Sequence, residues 1–188
     1  MDDKVLFDHL PELVDQLGVE HATVIVEYAE AFDLAKDEVL VRDQAPIEAL
    51  YLVLQGEVFL SVEIPGHCIQ LGEMGPGNWI GEVALFSGSK VASTTVTASA
   101  DCQLLKLAYA DFETMIQVAP ASACRLAHVL IGMLIHRLRA SANDPVLDPE
   151  GNLQFMGNLS APEEVLHPPH NGALQYLKSL LGIHRRPS

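Results

Sequence analysis

Short β-rich runs dominate the middle of the chain: "EVLVRD", "ALYLVLQGEVFLSVEI", "CIQLGEM", "ASTTVTA" and "CQLLKLA", each closed by turn residues. Alternating or continuous apolar runs of this length, punctuated by Gly, Pro, Asn and Asp, are strands rather than helices. Strands at roughly ten-residue spacing without helices between them predict an antiparallel barrel or sandwich. "LQGEVFLSVEIPGHC" reads as two strands joined through Pro65-Gly66.

The flanks are helical. From Leu6 to about Ala31, Leu13, Val14 and Leu17 share one face and Val24, Ile25 and Tyr28 another, with Gly18 dividing the two segments. Helix returns near Asp111, and Pro120 opens a second one, since proline is tolerated in a helix's first turn. From Ala121 to Ala140 the apolar residues occupy more than one face. A helix that is apolar nearly all round needs two partners. One is the barrel; the other is the same helix of a second subunit, giving a homodimer, or else the chain's own tail. From Ala142 the sequence is rich in Pro, Gly and Asn and reads as a linker or draped loop, followed by one short amphipathic helix, "ALQYLKSLLGIHRR". Three segments result: helices over 1–31, a barrel with its long helix over 32–141, and a tail over 142–188.

Charge and cysteine content narrow the setting. The 188 residues carry a formal net charge of −14, a field that repels nucleic-acid phosphates. Three widely spaced cysteines, Cys68, Cys102 and Cys124, predict reduced thiols and no metal site. The acidic N-terminus does not resemble a signal peptide. The greasiest run, Leu126 to Ile135, is too short to span a bilayer. A cytoplasmic, soluble protein without a membrane partner is expected.

Four motifs then carry a resemblance: "EVLVRD", "ALYLVLQGEV" with Gly56-Glu57, "MGPGNWIGE" with Gly75, Gly77 and Gly81, and "GEVALFSG". In this order and spacing, the stretch from about Phe32 to Leu138 resembles the cyclic nucleotide-binding domain of bacterial catabolite activators and kinase regulatory subunits. The fold implied is α+β: an eight-stranded jelly-roll-like β-barrel with N-terminal helices and a long C-terminal helix. Gly81-Glu82-Val83-Ala84-Leu85 reads as a turn into a brief helix, whose free N–H groups suit a phosphate. The resemblance implies that Gly81, Glu82, Val83 and Ala84 form the cradle, with Glu82 accepting a bond from the ribose 2′-hydroxyl. It further implies that Ser93 and Thr94 bond phosphate or base, and that helix residues from His128 to Ile131 lid the base. Trp79 is read as packing under the loop.

The chain departs from that pattern at Ala92, where relatives carry an arginine that pairs with the cyclic phosphate. Removing one member of a buried charged pair costs roughly 2–5 kcal/mol. At about 1.4 kcal/mol per decade, the loss in affinity is roughly thirty- to several-thousand-fold. Lys90, two residues earlier, is the candidate substitute, although its setting in "SGSK" reads as a solvated loop tip. Two family glycines are also replaced, by Asp37 and Gln44, at turns.

Other chemistry is poorly served. A DNA-reading helix-turn-helix has little room in the 47 residues after the long helix, six of them proline. Of the eight histidines only His67 lies among the strands, short of the converging histidines and carboxylate a cupin-type metal enzyme needs. His128 and His136 on the helix, and His167 and His170 in "HPPH", read as satisfied or solvated. No nucleophile–base pair, HExxH or P-loop is present. The expectation is therefore a non-enzymatic regulatory protein with no catalytic residue, no metal and no cofactor. It would act as a stand-alone sensor binding cyclic AMP or cyclic GMP weakly. The alternative is a degenerate domain that no longer binds nucleotide and serves as a dimeric protein–protein interaction module.

Overall fold

A computed structural model describes residues 4–64, 67–143, 146–147 and 153–154. Three short helices come first: α1 (Lys4–His9), α2 (Pro11–Leu17) and α3 (Val19–Glu27). Gly18 separates α2 from α3 at φ +86°, a left-handed geometry that glycine adopts without strain. Strand β1 (Glu30–Leu34) follows, so the change from helix to strand comes at Glu30, two residues before the Phe32 suggested by composition. Pairing decides the boundary: Glu30 and Ala31 lie in register with Lys106 and Leu105.

The remaining strands are β2 (Val39–Val41), β3 (Ala49–Gln55), β4 (Val58–Ile64), β5 (His67–Met74), β6 (Trp79–Ile80), β7 (Thr95–Ala98) and β8 (Cys102–Ala108). They form two antiparallel four-stranded sheets, ordered β1-β8-β3-β6 and β2-β7-β4-β5. These are the eight strands of the expected jelly-roll-like barrel. The first sheet is buried on both faces, which explains the near-continuous apolar run of β3. Leu50, Leu52 and Leu54 point to the helices, together with Leu105, Leu107 and Trp79. Val53 and Leu104 point into the barrel, against Val58, Leu60, Ile80 and Val96.

Asp37 and Gln44 sit at φ +66° and +60°, so the turns at these replaced glycines keep the left-handed backbone. A short helix, α4 (Glu82–Ser87), interrupts the strands at the position read as the cradle. Helices α5 (Tyr109–Val118) and α6 (Pro120–Asn143) close the described core. Hydrogen bonds from Arg125 Nε to the Leu17 carbonyl and between His21 and Ser122 fasten α6 to the N-terminal helices.

Helix α6 is long and apolar enough, by length and composition, to cross a membrane, in contrast to the reading from its ten-residue greasy run. Here one side of it is core: Ala123, Leu126 and Leu130 are buried against α2, α3 and α5. Its other apolar side stays open, with Ile131, Ile135 and Leu138 between 40% and 53% exposed. Within the expected linker, β9 (Val146–Leu147) and β10 (Leu153–Gln154) pair antiparallel. The expected terminal helix and the "HPPH" histidines lie outside the described residues.

Candidate functional site

The site begins with alternation along β6. Trp79 turns toward the helices and Ile80 into the barrel, after which Gly81 reverses the chain at φ +96°. A Cβ at Gly81 would collide with the Ala49 carbonyl and crowd Ile47 and the Tyr109 hydroxyl. Only glycine fits there. The Tyr109 hydroxyl donates to the Gly81 carbonyl at 2.7 Å, and burial pushes its pKa up, so it remains a donor. The turn launches α4 with Glu82 in its first turn and almost fully buried.

Opposite Glu82 lies the segment before β7. Ala92 is buried against Ile47 and Ala84, and its N–H donates to the Ala45 carbonyl. Gly81, Glu82, Val83, Ala84, Ala92, Ser93 and Thr94 all line one cavity with Val41, Leu60, Ile80 and Val96. The cavity is small, about 40 Å³, room for about three waters. Ligand pockets run to about 300–1,000 Å³.

A charged side chain from α6, Arg137, also lines it. Its Nη1 donates to Glu82 Oε1 at 2.6 Å. Its Nη2 donates to the Trp79 carbonyl at 2.9 Å, to Asn78 Oδ1 at 3.3 Å and to Met74 Sδ at 3.5 Å. The carboxylate is 4% exposed and the guanidinium side chain 11%. Burial pushes the Glu82 carboxyl up, against the lowering effect of Arg137 and of its own backbone N–H. Burial likewise pushes Arg137 down, against Glu82. Desolvation thus outweighs attraction on both partners, as expected of an ion pair taken out of water.

Lys90 does not enter this cavity. It occupies an exposed loop tip at φ +53°, and its carbonyl accepts from Ile47 N–H. His128 and Ile131 are exposed and do not line the cavity either, because they lie off the helix face that carries Leu126 and Leu130. Arg137 continues that face. Positions 123, 126, 130, 133 and 137 alternate steps of three and four, the spacing of one helix stripe. An arginine where the stripe calls for an apolar residue was the signal in the sequence.

Two four-stranded sheets, helices at both ends, a glycine turn into a short helix and a buried glutamate beneath it now stand together. Residues 32–118 match the family described as "Cyclic nucleotide-binding domain". The fold is that of cyclic nucleotide-binding domains.

Among curated relatives of the domain is the cAMP-activated global transcriptional regulator CRP of Pasteurella multocida. It is 30% identical over 124 residues, which make up 64% of this chain and 59% of the relative. The chain thus spans about three fifths of that relative's length. Among solved structures, the catabolite activator protein of Thermus thermophilus aligns with a TM-score of 0.59 and 27% identity, over 70% of this chain and 60% of that one. A cyclic nucleotide-binding domain from Methylobacillus flagellatus aligns with a TM-score of 0.66, over 73% and 83% of the two chains. At 20% identity, that likeness speaks for the fold alone.

Proposed function

We propose that this chain is a non-enzymatic, cytoplasmic regulatory domain that receives a cyclic nucleotide weakly and reports it through α6. The observation that carries the reading is convergence. Glu82, the first-turn residues Val83 and Ala84, and the hydroxyl residues Ser93 and Thr94 line the same cavity, to which α6 contributes Arg137. Binding is weak because Ala92 leaves the phosphate without its cation. Cyclic AMP and cyclic GMP are both admitted by this reading, and no resident cofactor is required.

An amide-resolved NMR titration with each nucleotide tests it. Shifts in fast exchange are expected at Gly81 to Ala84, Ser93, Thr94 and the last turns of α6. Unmoved amides there, or shifts confined to another surface, would overturn it.

A second reading has its own observation: with Arg137 in its wall, the cavity is too small for a nucleotide. On that reading the domain is an interaction module with a permanently closed pocket and an unidentified protein partner. Both readings use α6 to join two copies. Ile131, Ile135 and Leu138, at i, i+4 and i+7, form an exposed apolar strip, a face suited to its own copy. Ile135→Asp and Leu138→Asp are expected to sediment as monomers where the wild type sediments as a dimer. An unchanged sedimentation coefficient would place the dimer contact elsewhere.

A further inference from the structure

Beyond Leu130 no residue of α6 with a described side chain is fully buried, and Met133, Leu134 and Arg137 alone are partly covered. Arg137 is the one side chain past Met133 that is hydrogen-bonded to the barrel among the described residues. The last turns of the helix are therefore held by a polar anchor rather than by packing. Three of its four acceptor residues, Glu82, Trp79 and Met74, line the cavity, and Asn78 precedes Trp79 in the chain.

We infer that Arg137 is a latch, whose guanidinium occupies the acceptors that an incoming ligand would use and whose release frees the last turns of α6. This rests on the reading that a ligand enters the Glu82 cavity, and it assigns the regulation of that site. A buried ion pair contributes little net stability compared with apolar side chains, and switching is its best-attested use. A pocket that had merely closed would gain as much from leucine or methionine at 137.

The geometry also defines what can open the latch. A ligand must give Glu82 a hydrogen-bond donor in place of the guanidinium, which leaves for solvent with the last turns of α6. The sugar hydroxyl of a nucleotide offers that donor. Glu82 then keeps a hydrogen bond and the released guanidinium is hydrated, so neither group is left buried without a partner, which would otherwise be the larger cost.

The test uses the full chain and two readouts. Hydrogen exchange of the amides from 134 to 140 is measured without ligand in wild type and Arg137→Gln. The Glu82→Leu/Arg137→Met double variant, which leaves neither charge buried, serves as a second release of the latch should the single variant fold poorly. Cyclic AMP affinity of wild type and Arg137→Gln is measured in parallel by calorimetry. The latch predicts faster exchange in both variants and affinity in Arg137→Gln raised about tenfold, or 1.4 kcal/mol. Exchange no faster than wild type in both variants would overturn it. Lower affinity in Arg137→Gln would also overturn it, making Arg137 a ligand-binding cation instead. Faster exchange with no nucleotide bound by either protein would uphold the mechanical tie and overturn the nucleotide reading beneath it.

Discussion

Replacing Glu82 by leucine is expected to destabilise the fold by about 3 kcal/mol, because it leaves the Arg137 guanidinium buried without a counter-charge. Arg137→Met should cost less. The stranded Glu82 carboxyl can take up a proton, and burial already pushes its pKa up from the ordinary value. The sign of the pH dependence follows from that direction. A carboxyl whose folded pKa lies above its unfolded value burdens the folded state when ionised, and the burden disappears as pH falls below both values. The deficit of Arg137→Met should therefore shrink from pH 8 toward pH 5. That of Glu82→Leu should not, since arginine stays charged throughout.

The double variant Glu82→Leu/Arg137→Met decides what the pair is for. Removing both charges together leaves the Trp79 carbonyl without its donor, a loss of about 1–2 kcal/mol, but no buried charge. It should lie within that distance of wild type and well above the sum of the single losses, as contacting residues generally do in such cycles. Urea denaturation followed by circular dichroism measures all four proteins. Additive losses would show that Arg137 and Glu82 act independently, against the 2.6 Å contact.

The fold was legible because its signals are local. Alternating and continuous apolar runs mark the strands, Gly18 breaks the helices, and Asp37 and Gln44 fall at turns whose backbone is left-handed. The start of β1 was less legible, since Glu30 and Ala31 become strand only by pairing with Lys106 and Leu105 of β8, far along the chain. The cradle from Gly81 to Ala84, and Ala92, Ser93 and Thr94 across from it, were readable as motif positions, and one cavity gathers them. Arg137 was not read. Its importance depends on where α6 crosses the barrel, and the sequence shows only a charged residue on an otherwise apolar stripe. The same crossing displaces His128 and Ile131 from the lid position. Lys90 sits where its setting in "SGSK" places it, exposed at a loop tip.

Ala92→Arg is the largest functional change expected of one substitution. On the proposed reading, the cationic partner of the phosphate would return, worth roughly 2–5 kcal/mol in a buried site. Against it stand two costs. Ala92 is packed against Ile47 and Ala84 with 5% exposure, and overpacking such a position costs about 1–3 kcal/mol. The new guanidinium also meets Arg137, so α6 must shift before it fits. The net gain in cyclic nucleotide affinity is then about ten- to a hundredfold, with some loss of stability in the free protein.

Calorimetric titration of cyclic AMP and cyclic GMP into wild type and Ala92→Arg, at one salt concentration, therefore tests the central claim most directly. Weak binding by wild type, strengthened at least tenfold in the variant, is the predicted result: a nucleotide pocket that lacks its cation. Equal affinities in the two proteins, or silence from both, would contradict it.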